Sequence, residues 1–264
     1  MDHWAGKVAL VTGASVGIGA QITKALAKSG MKVIAIARRL EKLEELATNI
    51  NRECNGKVYP MKCDVRQEEE ILQVFQRAEK ELGGVDVLIN NAGVASPETI
   101  IEGSTETYRK ILDVNVLALA ICSRQLVQSV KKRKASGHII NINSVAGHYA
   151  ESINMPISVY CASKYAVTGM TASLRNEIVN AKLDIKVTSI SPGMVKTDMV
   201  TDILSNMDKE ARKSFADLPV LHDVDIADAV IYCLSMPLRV QICEVIIMPH
   251  EALATKNPRP YARS

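Results

Sequence analysis

The sequence is organised around residues 7–19, which read KVALVTGASVGIG. An apolar run from Val8 to Val11 leads into three glycines, and apolar positions with helical spacing follow over 18–29. This order predicts a buried strand, a tight loop and a helix. Glycines let such a loop approach a pyrophosphate, which the positive end of a helix attracts. The spacing G-x-x-x-G-x-G differs from the general dinucleotide fingerprint, so an ordinary tight loop stays open as the alternative.

The same alternation of apolar runs and amphipathic stretches continues along the 264 residues. It predicts seven strands, at 8–11, 32–37, 58–62, 85–89, 138–142, 185–190 and 243–248. It predicts helices at 18–29, 40–53, 67–82, 105–132, 159–181 and 225–235. Strands and helices in alternation indicate an α/β fold: a single Rossmann-type, doubly wound parallel sheet with helices on both faces. We therefore expect residues 1–264 to form one domain.

Composition and charge argue against several classes of protein. The net charge of +3 is too weak to indicate nucleic-acid binding. Residues 131–134, which read KKRK, are expected to be the last turn of a helix, with a targeting or anion-binding patch as the alternative. Six scattered cysteines without metal-like spacing fit a reducing compartment and predict no metal site. We expect neither a signal peptide nor a membrane span, and hence a cytoplasmic protein.

Two segments interrupt the alternation. Residues 145–158 form a long connection between a strand and a helix, and 193–223 are irregular and rich in methionine, including Met207. Ligands of open α/β sheets bind at the carboxyl ends of the strands, where long connections lie. We expect the substrate there, with 193–223 as the substrate loop.

The end of the second strand predicts the cofactor. A site for NAD places an acidic residue there to accept from the ribose hydroxyls. Here the chain reads Ala37-Arg38-Arg39, and a guanidinium suits a 2′-phosphate. The alternative is two solvated arginines at a helix start, which the helix dipole disfavours mildly. We therefore expect NADP(H).

Tyr160 and Lys164 stand four residues apart on a predicted helix, and hence on one face. A nearby cation favours the phenolate, so we expect a lowered pKa for Tyr160 and a role as general acid/base. Taken alone, such a pair is common, and an ordinary surface pair is the better interpretation.

In combination, these motifs resemble the short-chain dehydrogenase/reductase family. The resemblance rests on the ordered set Thr12 to Gly19, Asn90-Asn91-Ala92-Gly93, Asn115, Ser144, Tyr160 with Lys164, and Pro192-Gly193. It extends from residue 7 to about residue 249. The resemblance implies that Ser144 polarises a substrate carbonyl and that Tyr160 transfers the proton. It implies that Lys164 holds the nicotinamide ribose and, together with the positive nicotinamide ring, lowers the pKa of Tyr160. It also implies that Asn115 binds a water at a helix kink.

The resemblance further implies the cofactor contacts. Asp64 and Val65 would flank the adenine, Asn91 would lie against it, and Thr197 would touch the nicotinamide side. The full predicted set is Gly13, Ser15, Gly17, Ile18, Gly19, Arg38, Arg39, Asp64, Val65, Asn91, Ala92, Gly93, Tyr160, Lys164, Pro192, Gly193, Val195 and Thr197.

Two departures from the family pattern stand out. Asn143 replaces a serine that is common beside the catalytic one, a change expected to be neutral. The basic residue that some NADP-dependent members carry in the glycine loop is absent, because Ala14 and Ser15 occupy those positions. The predicted preference for NADP(H) therefore depends on Arg38 and Arg39.

Within the family, residues 1–39, the Gly147-His148 turn and the ending near residues 257–258 are similar to animal farnesol dehydrogenase-like proteins, which lie near NADP-dependent hydroxysteroid reductases. This implies an apolar alcohol or carbonyl substrate, first a terpenoid alcohol such as farnesol. The expected pocket residues are Val94, Ala95, Tyr149, Met155, Ile157, Met194, Met199 and Val200. A hydroxysteroid or general carbonyl reductase is the alternative. A catalytically silent nucleotide-binding module is the alternative from another class. The resemblance also implies a homodimer or homotetramer that pairs through 105–132 and 159–181.

Overall fold

The fold is one parallel sheet between two layers of helices. The computed structural model describes residues 1–54, 56–153, 155–205, 209 and 218–253. The strands are β1 (Val8–Thr12), β2 (Lys32–Ala37), β3 (Lys57–Lys62), β4 (Val87–Asn90), β5 (Gly137–Ile142), β6 (Ile185–Pro192) and β7 (Glu244–Ile247). The helices are α1 (Gly17–Lys28), α2 (Leu40–Glu53), α3 (Glu68–Leu82), α4 (Thr105–Leu112), α5 (Ala118–Arg133), α6 (Ser158–Asn180), α7 (Asp198–Ser205) and α8 (Asp223–Ser235).

The sheet order is β3-β2-β1-β4-β5-β6-β7, and every pairing is parallel. The predicted seven-stranded, doubly wound sheet is thus confirmed. From β1 the chain first builds outward through β2 to β3, and then returns to place β4 on the other side of β1. The carboxyl ends of β1 and β4 therefore diverge into a crevice at the point where the order reverses, which is where open α/β sheets bind ligands.

Each face of the sheet is covered by its own apolar core. Alternate residues of a strand point to opposite faces, so Ala9 and Val11 of β1 pack under α1, α2 and α8, while Val8 and Leu10 pack under α3, α5 and α6. All five residues of β1 are buried. A strand covered on both sides reads as a continuous apolar run, and this explains why the opening sequence lacks the alternation of a half-exposed strand.

The long helix predicted over 105–132 is interrupted. Between α4 and α5, residues Asp113–Leu117 form a π-helical segment. The basic residues at 131–133 occupy the last turn of α5, where they complement the helix dipole, as expected. Within the described residues, the run Thr105–Arg133 is also the one helix long and apolar enough to cross a bilayer by length and composition, with a mean hydropathy of 1.3. Half of that window is buried in the protein, as in the core helix of a globular fold.

His138 of β5 is buried beneath the sheet as a neutral imidazole. Its Nε2 lies 2.8 Å from Thr188 Oγ1, whose own hydrogen is donated to the carbonyl of Ile242 at 2.7 Å. The hydroxyl can therefore only accept from the ring, so Nε2 carries the hydrogen and Nδ1, which has no partner among the described residues, carries a lone pair. Burial, and then the charge of Lys186, lower the pKa of His138 to about 3.

This histidine should make the protein acid-sensitive. Between about pH 6.5 and pH 3 the unfolded chain binds a proton at this histidine that the folded chain does not bind. The free energy of unfolding therefore falls as the pH falls, by at most about 1.4 kcal/mol per pH unit. Urea unfolding at pH 6.5 and pH 5 should show a loss about 1–2 kcal/mol smaller in His138→Gln than in the wild type. The exposed His250→Gln serves as the control. Equal losses in wild type and His138→Gln would contradict this assignment.

Candidate active site

Two adjoining cavities lie along the carboxyl ends of the strands. The first, of about 290 Å³, reaches from the glycine loop to Tyr160. The second, of about 180 Å³, reaches from the same loop to Arg38 and Arg39. Gly13 and Gly93 line both cavities, so together the two form one groove across the crevice between β1 and β4.

All but one of the predicted site residues line this groove. The first cavity is lined by Gly13, Gly17, Ile18, Gly19, Asn91, Ala92, Gly93, Ser144, Tyr160, Lys164, Pro192, Gly193, Val195 and Thr197. The second is lined by Gly13, Ser15, Arg38, Arg39, Asp64, Val65, Ala92 and Gly93. Asn115 is the exception and lies beneath the groove.

The glycine loop fits a pyrophosphate. Gly13 has a φ of 65°, and a Cβ added to it would lie 2.9 Å from the Cα of Ala92. A Cβ on Gly19 would lie 2.5 Å from the carbonyl oxygen of Gly13. Helix α1 begins at Gly17 with no side-chain cap from Val16 and no acidic residue in its first turn. Its free N–H groups and positive dipole end are therefore available to an anion in the first cavity.

The second cavity is basic. Four of its described lining residues are cationic, and one, Asp64, is acidic. Arg39 Nη2 donates to Ser15 Oγ at 3.2 Å and so spans from the end of β2 to the glycine loop. Arg66 Nε donates to Asp64 at 3.0 Å, and this hydrogen bond holds the pKa of Asp64 below its ordinary value. Because Arg66 pairs with the carboxylate of Asp64, the charges of Arg38 and Arg39 are not offset by that carboxylate, and the cavity carries net positive charge.

Two of the cavity's cations were not found from the sequence. Arg66 follows the predicted cofactor residue Asp64 by two positions, and this closeness in sequence was a weak indication that it belongs to the same site. Lys110 belongs to α4, and only the tertiary fold brings it to this cavity.

Burial controls the ionisation of Tyr160 and Lys164. Burial raises the pKa of Tyr160 to about 12, against a smaller lowering by the hydrogen bond with Ser144. Burial also lowers the pKa of Lys164 to about 8. The lysine Nζ donates to the carbonyl of Ile142 at 2.9 Å and lies 5.6 Å from the centre of the Tyr160 ring. The lowered pKa expected for Tyr160 is therefore not found, because burial of the phenolate raises it. The lowering that the resemblance assigns to Lys164 together with the nicotinamide ring stays a prediction.

Asn115 lies within the π-helical segment and is buried. Its Oδ1 accepts from the N–H of Val94 at 2.8 Å, and its Nδ2 donates to the carbonyl of Val94 and to Ser163 Oγ, both at 2.9 Å. Ser163 in turn donates to the carbonyl of Tyr160 at 2.7 Å. The helix irregularity expected at Asn115 is thus present, and the side chain joins the loop after β4 to the helix that carries Tyr160.

Asn91 lies between the end of β4 and the glycine loop. The residue lines the first cavity and is not among the described residues around Arg38 and Arg39. Its Nδ2 donates to the carbonyls of Thr12 and Gly13, at 2.9 and 3.2 Å. Thr12 Oγ1 accepts from the N–H groups of Asn91 and Ala92 at 3.0 and 2.9 Å. Asn91 therefore connects the end of β4 to the glycine loop, and its expected contact with the adenine stays a prediction.

Ser144 begins a 3-10 turn, Val145–Gly147, and its Oγ accepts from the N–H of Ala146 at 3.1 Å. Asn143 Nδ2 donates to Thr168 Oγ1 at 2.9 Å, and that hydroxyl donates to the carbonyl of Gly147 at 3.0 Å. Asn143 thus helps to fasten the turn to α6, a role that the sequence did not indicate.

The wall beyond Ser144 and Tyr160 is apolar. Of the expected pocket residues, Ala95, Met155, Ile157, Met194, Met199 and Val200 line the first cavity. Val94 lines the second cavity instead, and Tyr149 lines neither. Ile153 and Ile203 also line the wall and were not predicted. Met207 and part of 193–223 lie outside the described residues.

Two further findings concern reactive side chains. All six cysteines are free thiols. Across the described ranges, no group of three or more histidine, cysteine or acidic residues is arranged to hold a metal ion.

Comparison with known proteins agrees with this geometry. A family model described as short chain dehydrogenase matches residues 7–208. The chain is 46% identical over 251 residues to a farnesol dehydrogenase of Aedes aegypti, covering 94% of this chain and 98% of that protein. It is 45% identical over 260 residues to dehydrogenase/reductase SDR family member 11 of Gallus gallus, covering 96% and 100%. The solved closed form of serine dehydrogenase complexed with NADP+ has a TM-score of 0.82 at 30% identity, covering 97% and 99%.

Proposed function

This chain belongs to the short-chain dehydrogenase/reductase family, whose fold binds a nicotinamide dinucleotide, and we propose that it uses NADP(H) to interconvert an apolar alcohol and its aldehyde or ketone. The observation that carries the proposal is the groove itself. A basic cavity, an uncapped helix end, the pair Tyr160 and Ser144, and an apolar wall follow one another along it.

In the proposed mechanism the bound nicotinamide supplies or accepts the hydride, and the protein manages orientation and the proton. Ser144 and Tyr160 donate hydrogen bonds to the substrate oxygen, where negative charge develops during reduction. A phenol with a pKa near 12 keeps its proton at neutral pH, and an alkoxide is a stronger base than a phenolate. Tyr160 is therefore a competent proton donor for reduction, with Lys164 beside it as the cation that stabilises the phenolate left behind.

The choice of NADP(H) is supported by the charge of the second cavity. Arg38, Arg39, Arg66 and Lys110 surround it, and Asp64 is engaged by Arg66. The negative charge of a 2′-phosphate suits this excess of positive charge. The end of β2 carries no acidic residue that would accept hydrogen bonds from a free ribose hydroxyl, as an NAD site would have. The similar serine dehydrogenase structure contains NADP+.

For the substrate we propose a terpenoid alcohol or aldehyde such as farnesol or farnesal. The support is the apolar wall of methionine, isoleucine and valine, together with the Aedes aegypti relative named farnesol dehydrogenase. A steroid or another bulky ketone remains the second candidate, because methionine side chains adapt to different apolar shapes. A silent nucleotide-binding module would have no chemical need for the set Asn115, Ser144, Tyr160 and Lys164.

We also propose a homodimer, or a tetramer built from it, that pairs through α5 and α6. From Ser158 to Leu174, helix α6 contains one charged residue, Lys164, and that residue is buried. The exposed side of α6 therefore presents Tyr165, Gly169 and small residues, next to a groove of about 520 Å³ against α5. An uncharged face of this length is typical of an interface.

As for context, we propose a cytoplasmic protein that is one NAD(P)-binding domain with its substrate loop at about 193–223. The six free thiols support a reducing compartment.

The activity test follows absorbance at 340 nm with NADPH and farnesal, NADP+ and farnesol, a 17-ketosteroid, a 3-ketosteroid and an α-dicarbonyl. We expect turnover of the terpenoid pair, and a loss of at least about 100-fold in kcat for Tyr160→Phe with cofactor binding retained. Tyr165→Phe, five residues along the same helix and exposed, is the control. Steroid turnover with farnesol inert would replace the substrate, and near-wild-type activity of Tyr160→Phe would remove Tyr160 from the mechanism.

The cofactor test exchanges the charge at the end of β2. In Arg38→Asp combined with Arg39→Ala, the ratio of kcat/KM for NADPH over NADH should fall by about 100-fold or more, since a charge-assisted hydrogen bond contributes about 1.5–3 kcal/mol. Arg52→Ala, an exposed arginine near the end of the following helix α2, should leave the ratio unchanged. An unaltered preference in the double variant would show that the phosphate is held elsewhere.

The dimer test uses Gly169, where an added Cβ has no atom within 4 Å in the single chain. Gly169→Glu should therefore fold normally and yet place a charge in the interface. Size-exclusion chromatography with light scattering should give a wild-type dimer or tetramer and a variant of about half the mass or less, with Gly169→Ala as the control. An oligomer that survives Gly169→Glu would exclude this face.

A further inference from the structure

A compact set of polar side chains connects the turn after Ser144 with the edge of the sheet. His148 Nε2 lies 2.7 Å from Glu244 Oε1 and 3.1 Å from Ser191 Oγ. Ser191 Oγ donates to the same carboxylate oxygen at 3.0 Å. The side chain of His148 is 14% exposed, that of Glu244 is 34% exposed, and Ser191 is fully buried.

The protonation pattern of this set follows from its donors. An ionised carboxylate only accepts, so Nε2 of His148 must carry the hydrogen that points to Glu244. This holds for the neutral imidazole and for the imidazolium alike. A side-chain amide nitrogen in the place of Nε2 would make the same bond.

The set contains a serine, a histidine and a glutamate, the residue types of a hydrolytic triad, but its geometry is not that of a triad. In a hydrolytic triad the two ring nitrogens serve different partners. Here Nε2 serves both Glu244 and Ser191, and the buried hydroxyl of Ser191 already donates to the acid. The set therefore binds parts of the protein to each other.

The connected parts all belong to the proposed active site. His148 directly follows the 3-10 turn that begins at Ser144. Ser191 directly precedes Pro192 and Gly193, which line the first cavity. Glu244 is the first residue of the edge strand β7. The turn is already fastened to α6 through Thr168 on one side, and His148 fastens it to the sheet on the other.

We propose that His148, acting through Glu244 and Ser191, is a positioning residue for the reaction. It holds the Ser144 hydroxyl at a set distance from the cavity wall formed by Pro192 and Gly193. The carbonyl carbon of the substrate and the hydride donor must meet in the space between that hydroxyl and that wall. The inference rests on the proposed function. A displacement of about 1 Å in such a pair costs about 100-fold in rate, so loss of this connection acts on the chemical step.

The kinetic experiment compares His148→Ala, His148→Gln, Glu244→Ala and the double alanine variant, using NADPH and the best carbonyl substrate of the wild type. We expect kcat to fall about 10- to 100-fold in His148→Ala and Glu244→Ala. The dissociation constant of NADPH, measured by its fluorescence, should stay within about 3-fold, because the basic cavity is untouched. His148→Gln should recover most of kcat, and the double variant should be no worse than either single one.

The controls are His250→Ala and Glu251→Ala, which are exposed residues of the segment after β7. A kcat of His148→Ala equal to that of these controls, with an active wild type, would overturn the positioning role and leave the proposed function intact. Equal loss in His148→Gln and His148→Ala would also overturn it.

A second readout does not need turnover. Hydrogen exchange of peptides covering 143–153 and β7 should be faster in His148→Ala than in the wild type, and close to wild type in His148→Gln. If the wild type reduced none of the carbonyl compounds, the proposed function would fail, and exchange alone would then decide whether His148 holds the turn. Unchanged exchange in His148→Ala would reject the connection itself.

Discussion

The site depends on the close approach of two backbones at the crevice between β1 and β4. Gly13 and Gly19 have no side chain to separate the loop from Ala92 and from itself. This close approach lets Thr12 and Asn91 form hydrogen bonds between the two strand ends, through the hydroxyl of one and the side-chain amide of the other. Any Cβ in this contact would push the loop outward. Both cavities of the groove share this loop as a wall, so its position determines whether one dinucleotide can reach from the basic cavity to Tyr160.

Burial controls the ionisation of the pair Tyr160 and Lys164. Tyr160 and Lys164 lie where their charged forms are poorly solvated, so one pKa rises and the other falls. Both shifts favour the neutral form, so the phenol holds its proton more tightly, and the ammonium less tightly, than in water. The carbonyl of Ile142 satisfies the ammonium meanwhile.

Much of the architecture could be predicted from the sequence because its signals are local. The bounds of β2 and α2 were predicted as they occur, since an apolar run, two arginines and an amphipathic stretch follow one another there. The predicted start of strand β4 is two residues too early, because Val85 is apolar and buried like a strand residue but precedes the pairing with β5. The sequence indicates which residues are buried, whereas the bounds of a strand depend on its hydrogen bonds to a second strand.

The functional residues divide in the same way. Tyr160, Ser144 and the glycine loop could be found because each lies at a strand end or helix start with its own motif. Lys110 could not, because only tertiary structure brings α4 to the second cavity. The pKa of Tyr160 was predicted in the wrong direction, since spacing along a helix reports which groups are neighbours but not how much water they lose.

The π-helical segment Asp113–Leu117 has a consequence for how this chain can change its length. A π turn accommodates one residue more than an α turn, so the segment behaves as a one-residue insertion within the run 105–133. Deleting one of these residues would close the segment into an ordinary α turn with α4 and α5 still facing the same way, so the change would be confined to the segment itself. Asn115 would then lose its alignment with Val94 and Ser163. A frame-preserving deletion that looks harmless in a long helix is, at this place, a deletion in the active site.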